Sequence, residues 1–277
     1  MLIVLMLMGV FLGQMSVDGV LELPEEYGGV RDTAADEKNA TQLIQYWTLA
    51  GILTINSVTV TLAVMTTVIR DASEKKLDSF YCAPVRKPII AGAYITSSIL
   101  LGTLLCIIPL IIALIVVGIG GGNFLPAATI VKLIGCILLH VIIFSIIMYL
   151  ATYLVKSLSA WSAIGTIVGT LIGFVGAVYL PMGELPETVG NVLKYLPILH
   201  GTSLMRKLCC QDILAKTFDG LPDELIVEYK KAMGITVAMG DETVSSGFQI
   251  GFLIICGMVA LGIIIILANK HRVNVER

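Results

Sequence analysis

Five long apolar runs constrain this chain more than any other feature of its sequence. Each exceeds the roughly 20 helical residues needed to cross a hydrocarbon core of about 30 Å. Because a lipid-exposed segment must satisfy its own backbone hydrogen bonds, each run predicts a membrane-spanning α-helix. The runs cover residues 45–69, 91–119, 129–155, 160–180 and 247–268. We therefore expect an all-α, polytopic membrane protein.

The composition supports one membrane domain. Hydrophobic residues make up 57% of the 277 positions and charged residues only 14%, which is too apolar for a soluble domain with a polar surface. The charged residues lie in short segments between the apolar runs, so no part of the chain has the pattern of an independent soluble domain. We expect residues 1–277 to form a single transmembrane domain.

A sixth apolar run occupies residues 1–14. As a helix it would extend about 21 Å, which is short of the hydrocarbon thickness. A signal peptide is the alternative, but the run has no basic residue before it and no small-x-small cleavage site after it. We interpret it as the second half of a first span, which gives six transmembrane helices with the first one truncated.

The distribution of charge predicts the orientation. Segments 70–90, 156–159 and 269–277 carry nine basic and four acidic residues, a net charge of +5, whereas the rest carries nine basic and sixteen acidic residues, or −7. By the positive-inside rule the first set is cytoplasmic, and both termini are therefore expected inside. The long acidic segments 15–44 and 181–246 are expected outside.

Two adjacent cysteines, Cys209 and Cys210, lie in the second outer segment. Adjacent cysteines pair only with strain, so we favour free thiols over a disulfide. The sequence assigns them no role.

The chain offers little chemistry of its own. It has no phosphate-binding Gly-x-x-x-x-Gly-Lys-Ser/Thr loop, and its five complete runs contain no Asp or Glu. No metal-ligand spacing and no nucleophile with a nearby base occurs. We therefore expect no catalytic residue, metal or cofactor in this chain, and we interpret His140, the one ionisable residue deep in a run, as a packing residue.

The segment RDASEKKLDSFYCAPVRKP, residues 70–88, concentrates eight charged residues in nineteen positions. Asp71 and Glu74 have the spacing of a capping box, and Leu77, Phe80 and Tyr81 would share one helical face. Since Pro84 would stop such a helix, the pattern predicts an amphipathic helix over about 71–83 on the cytoplasmic surface. The alternative is an ordinary charged loop that anchors the topology.

This segment resembles the permease subunits of type-2 ATP-binding-cassette (ABC) exporters. The matching residues of the coupling-helix motif are Arg70, Asp71, Glu74, Leu77, Pro84, Arg86 or Lys87, and Gly92. A second stretch, YLPMGELPETVGNVLKYLPILHG, is similar to the family's outer segment of short re-entrant helices. It matches through Pro181, Leu185, Pro186, Leu196 and Pro197.

The resemblance implies a function and partners. Family members combine two permease subunits with two ATP-binding subunits, which bind ATP and Mg²⁺ and receive the coupling helix in a groove. The chain would export a hydrophobic or amphipathic substrate, such as a drug, peptide or lipid, across a bacterial cell membrane. A gradient-driven transporter and a non-transporting scaffold or immunity protein are the alternatives; the substrate and the choice between homodimer and heterodimer stay open. The resemblance makes these residues candidates for partner binding: Arg70, Asp71, Glu74, Leu77, Phe80, Pro84 and Arg86.

Three further sets of residues are candidates for transport. Most of the residues Thr48, Asn56, Thr59, Ala63 and Thr66 in the second span fall on one helical face. This pattern favours a translocation path, for which Asn56, Thr59 and Thr66 are candidates, and interhelical hydrogen bonding equally. Gly165, Gly169 and Gly173 recur every four residues and predict close helix packing, within the subunit or across a dimer axis. The resemblance implies that the outer re-entrant segment, about 181–205, forms an outer gate, with candidate residues Pro181, Glu184, Pro186 and Pro197. The residues alone predict a re-entrant or interfacial hairpin of unknown purpose.

Overall fold

The structure of the protein is a computed structural model that describes residues 17–22, 33–77, 87–119, 122–155, 157–240 and 242–273. These ranges are almost entirely helical. Their principal helices are α1 (Thr33–Ser73), α2 (Lys87–Ile119), α3 (Ala127–Thr152), α4 (Leu158–Val175), α5 (Glu187–Leu193), α6 (Pro197–Thr217), α7 (Asp223–Ala232) and α8 (Ser246–Val273). Strands β1 (Ala238–Met239) and β2 (Glu242–Thr243) form one short antiparallel pair with Ala238 opposite Thr243.

Five of these helices, α1 to α4 and α8, are long and apolar enough to cross a membrane. Each contains most of one predicted run, which confirms the all-α, polytopic membrane fold. The half-span at residues 1–14 lies outside the described residues, so the sixth span stays a prediction.

Several helices begin or end away from the ends of the predicted apolar runs, and two of these differences have a clear physical reason. Helix α1 begins at Thr33 instead of 45, because residues 33–44, predicted to be loop, keep a helical stripe in which Ala40, Leu43 and Ile44 are buried. Helix α4 ends at Val175 instead of 180. There Ala177 has a φ of 51°, a left-handed conformation that a helix cannot contain.

Helix α1 is the centre of the bundle. It packs against α2, α3, α4 and α6, and 56% of its most apolar window is buried, compared with 17% for α2 and α4. The faces of α2, α4 and α8 that point away from the bundle carry large exposed apolar side chains, as expected for helices whose solvent is lipid. The second span of the sequence prediction is therefore the axis of the fold.

Proline residues set the starts of the short helices between α4 and α8. Pro181 precedes a 3₁₀ turn at Met182–Glu184, Pro186 is the N-cap of α5, and Pro197 is the first residue of α6. The fixed φ of proline suits a first helical turn, and its missing N–H would have no partner there. The outer segment is thus a chain of short, separately started helices.

Candidate functional site

The C-terminal end of α1, predicted to be cytoplasmic, carries the residues of the predicted docking motif. Helix α1 continues through Arg70 and Asp71 to Ser73. Asp71 therefore lies in the last turn of α1, and the prediction that it caps a new helix was wrong. The backbone N–H of Glu74 still donates to Arg70 O at 2.9 Å. The Asp71 carboxylate instead accepts a hydrogen bond from the Tyr94 hydroxyl, 2.7 Å from Oδ2, and this bond ties the end of α1 to α2.

The chain breaks away from α1 at Lys75, whose φ of 58° is left-handed. Helix resumes at 76–77. Lys76 Nζ lies 2.6 Å from Glu74 Oε2 and 4.0 Å from Asp71 Oδ1, and this pairing with Glu74 raises the Lys76 pKa. Arg70, Glu74 and Lys75 are exposed, so a charged surface lies beside the break. Phe80, Pro84 and Arg86 fall outside the described residues, and their docking role stays a prediction.

The polar residues of α1 make bonds between helices. Asn56 Nδ2 donates to Leu105 O of α2 at 2.9 Å, and Thr66 Oγ1 accepts from Trp161 Nε1 of α4 at 3.1 Å. Thr59 bonds only to its own helix, at Ile55 O. For Asn56 and Thr66 the geometry matches interhelical hydrogen bonding, one of the two predicted interpretations; the translocation path stays a prediction.

The three glycines of α4 do not share one neighbour. A Cβ at Gly165 would lie 3.3 Å from Leu62 of α1, and one at Gly173 would overlap the ring of Tyr179. A Cβ at Gly169 would meet no described atom within 4 Å. Two of the three thus pack within the subunit.

His140 lies in a fully buried polar layer at the centre of the bundle. Its Nδ1 is 2.7 Å from Ser57 Oγ of α1, and its Nε2 faces Gly201 of α6 so closely that a Cβ at Gly201 would lie 1.9 Å away. His140 therefore holds three helices together, which agrees with the predicted packing role.

Helix α6 packs against both α1 and α3. Met205 contacts Thr54 of α1, and Gly201 lies against His140, which bonds to Ser57 of α1. Thr54 and Ser57 are 9 and 12 residues into the apolar run that starts at 45. At about 1.5 Å per residue, the beginning of α6 is on the order of 15 Å past the start of that run. The re-entrant character of 181–205 stays a prediction, and α6 itself continues to Thr217.

The gate candidates lie at the start of this helix and in the segment that precedes it. Pro181 and Pro197 are half-buried, whereas Glu184 and Pro186 are exposed. Near the other end of α6, Cys209 and Cys210 are buried free thiols, as predicted. Burial raises the pKa of the Cys210 thiol to about 12 and that of Cys209 well above its usual range.

An open cavity of about 490 Å³ lies between α1, the α2–α3 connection and α6. Tyr46 and Gln42 close one side by donating to Asn123 O. Phe124, Leu125 and Ile213 supply apolar wall, and the exposed side chains of Asp212 and Lys216 stand at the rim. The cavity thus offers apolar and charged surface together.

Sequence reasoning missed two sets of contacts. Arg206 is fully buried and touches α1 through Trp47, and Tyr94 binds Asp71. Arg206 had one weak signal, since Arg206 and Lys207 stand between the apolar residues Leu204, Met205 and Leu208. Tyr94 had none, because nothing in the sequence relates it to a residue 23 positions earlier.

Comparison with known proteins identifies the class. A family model described as ABC-2 family transporter protein matches residues 23–267. The chain belongs to this family and is a permease-type membrane transport subunit of ABC transporters. No curated protein sequence matches the chain.

Proposed function

We propose that this chain is the permease subunit of an ATP-driven exporter, which moves a hydrophobic or amphipathic substrate out of the cell. The family match over residues 23–267 is the observation that carries the proposal. In this proposal two permease subunits work with two separate ATP-binding subunits. The partner chains bind ATP and Mg²⁺, and this chain performs no catalysis.

The cytoplasmic end of α1 supports a docking role. Its exposed charges, Arg70, Glu74 and Lys75, lie beside a backbone break, while the same turn is fixed to α2 through the half-buried residues Asp71 and Tyr94. A partner that moves residues 71–83 would displace two spanning helices together, because rigid helices transmit displacement.

Within the described residues, the apolar stretches of the spanning helices offer no carboxylate through which an ion gradient could drive transport. The apolar stretches of α1 to α4 and α8 in the described ranges carry no Asp or Glu, and buried carboxylates are the usual route by which an ion gradient drives transport. ATP hydrolysis in a partner supplies the energy in this proposal.

The outer cavity supports the class of substrate. The cavity has an apolar wall and two charged side chains at its rim, Asp212 and Lys216. Such a surface suits an amphipathic molecule better than a small ion. Exit of such a substrate beside α6 would agree with the gate predicted for residues 181–205.

The test is copurification from the native host. We expect an ATP-binding subunit to copurify with the tagged chain and to be lost or weakened in the double charge reversal Glu74→Arg/Arg86→Glu, with membrane insertion unchanged. The matched control is Glu224→Arg/Lys230→Glu on α7, at the other end of the molecule, which should leave copurification intact. If the native chain captures no ATPase, the exporter proposal fails and a scaffold or gradient-driven transporter takes its place.

A further inference from the structure

Arg206 is a fully buried arginine without a carboxylate partner. Its side chain has no exposed surface, and no carboxylate of the described residues pairs with it. The Nε atom has no hydrogen-bond acceptor in the described part of the chain. Removing a charge from water costs free energy unless other groups compensate. The groups that do contact Arg206 therefore indicate which parts of the protein its burial holds together.

Those partners come from three separate parts of the chain. Nη2 donates to Ala177 O at 2.7 Å, in the turn after α4, and Nη1 donates to Met233 O at 3.2 Å, after α7. The guanidinium carbon lies 4.0 Å above the ring of Trp47 in α1, a cation–π arrangement. Trp47 Nε1 donates to the same Met233 carbonyl at 2.7 Å. One side chain thus joins α1, α6, the turn after α4 and the end of α7.

The turn that Arg206 holds is strained. Ala177 has a φ of 51°, and a non-glycine residue keeps such a conformation only when its surroundings over-determine it. Its neighbour Val178 packs against Gly51 of α1, where a Cβ would lie 2.5 Å from Val178 Cγ1. The strained turn is therefore pressed onto α1 on one side and bonded to Arg206 on the other.

Helix α1 connects this cluster to the docking end. Trp47 and Asp71 lie on the same unbroken helix, about 36 Å apart at 1.5 Å per residue. Resting on the proposed function, we infer that Arg206 is a positioning residue that locks the turn after α4 and the end of α7 to α1. These parts then move as one body when the cytoplasmic end of α1 is displaced. The lock has four contacts: the bonds to Ala177 and Met233, the Trp47 ring, and the Trp47–Met233 bond.

The test measures one distance in this chain. Spin labels at Lys38→Cys on α1 and Glu228→Cys on α7, both exposed positions, report how firmly α7 is held to α1. We expect a narrow distance distribution in the otherwise native protein and a width about twice as large with Arg206→Lys, since lysine keeps the charge but cannot bridge two carbonyls with a planar fork. Trp47→Phe, which keeps an aromatic ring but loses the bond to Met233, should give an intermediate width.

The matched control is Lys207→Gln, which removes a charge from the next residue. Lys207 bonds to Val244 and Gln249, at the beginning of α8, so the Lys38–Glu228 distribution should stay narrow. A distribution in the Arg206→Lys protein as narrow as in the native protein overturns the inference.

A second arm uses the complex with its ATPase trapped by ATP and vanadate. The labelled native protein should keep its distance on trapping, whereas Arg206→Lys should change it; a change in the native protein also overturns the lock. The first arm needs no partner protein. Failure to capture an ATPase therefore refutes the proposed function, while the width of the Lys38–Glu228 distance distribution still decides whether Arg206 locks α7 to α1.

Discussion

The Tyr94 hydroxyl donates a 2.7 Å hydrogen bond to Asp71 Oδ2 and so fixes the last turn of α1 to the second turn of α2. A hydrogen bond to a charged group contributes about 1.5–3 kcal/mol when well buried, and less in this half-exposed setting. The bond steadies the segment that leads into the docking motif.

Removal of that hydroxyl should loosen the docking segment. We expect Tyr94→Phe to speed amide hydrogen exchange in residues 71–77 roughly tenfold, since a loss of about 1.4 kcal/mol corresponds to that factor. Tyr195→Phe removes a hydroxyl from an exposed ring and should leave these amides unchanged. Equal exchange in the native and Tyr94→Phe proteins would show that the bond contributes nothing.

The contact between His140 and Gly201 should tolerate no added atom. A Cβ at Gly201 would lie 1.9 Å from His140 Nε2, and both residues are fully buried, so Gly201→Ala should cost about 2 kcal/mol or more. Thermal melts in detergent measure this. Gly135→Ala on α3 adds the same methyl group where no described atom lies within 4 Å, and it should melt at or slightly above the native temperature because alanine favours helix.

A second substitution tests the cause of that loss. Adding His140→Ala to Gly201→Ala removes the ring that clashes, so part of the lost stability should return despite the new cavity. A double variant that melts below both single variants would rule out the clash as the explanation.

Cys209 and Cys210 should resist alkylation in the folded protein. Burial raises the Cys210 pKa to about 12 and the Cys209 pKa well above its usual range, so at pH 7–8 both remain protonated, and the thiolate is the reactive form. Maleimide treatment followed by site mapping in a mass spectrometer should show modification only after denaturation. Gln211→Cys, at the adjacent exposed position, should react without denaturation; modification of Cys210 at a comparable rate would contradict its burial.

Asn56 and Thr59 distinguish packing from a translocation path. Asn56 bonds across to α2 and Thr59 only within α1, so on a packing role Asn56→Leu should lower stability by about 0.5–1.5 kcal/mol, while Thr59→Val should have little effect. Melting temperatures in detergent check this. Unchanged stability in Asn56→Leu, with altered substrate stimulation of the ATPase in both variants, would favour the path.

The sequence was informative wherever a property repeats along one helix. Apolar runs of about 20 residues predicted α2, α3, α4 and α8 to within a few residues at most ends, because hydrocarbon thickness sets span length. Prolines marked the starts of the short outer helices for an equally local reason. Hydropathy failed at residues 33–44, where a helix has one polar face and the average conceals the buried stripe.

Contacts between distant parts of the chain were beyond sequence reasoning. The Arg206 cluster unites residues 47, 177 and 233, and Asp71 found its partner in Tyr94 instead of capping a helix. Capping rules describe a carboxylate and the backbone amides that follow it. They do not take into account a hydroxyl group on another helix that competes for the same carboxylate. Such pairings follow from the packing of the bundle as a whole.

The 41-residue length of α1 has a consequence for its relation to the bilayer. The helix is about 60 Å long, roughly twice the hydrocarbon thickness, and its end nearer Thr33 is covered by protein where buried side chains such as Ala40, Leu43 and Tyr46 lie. A helix that ends at the interface must tilt or distort when the membrane thins or thickens. Since α1 continues as a protein-covered helix beyond its apolar run, a change in membrane thickness should tilt or distort the lipid-facing helices around it. Helix α1 itself should stay straight.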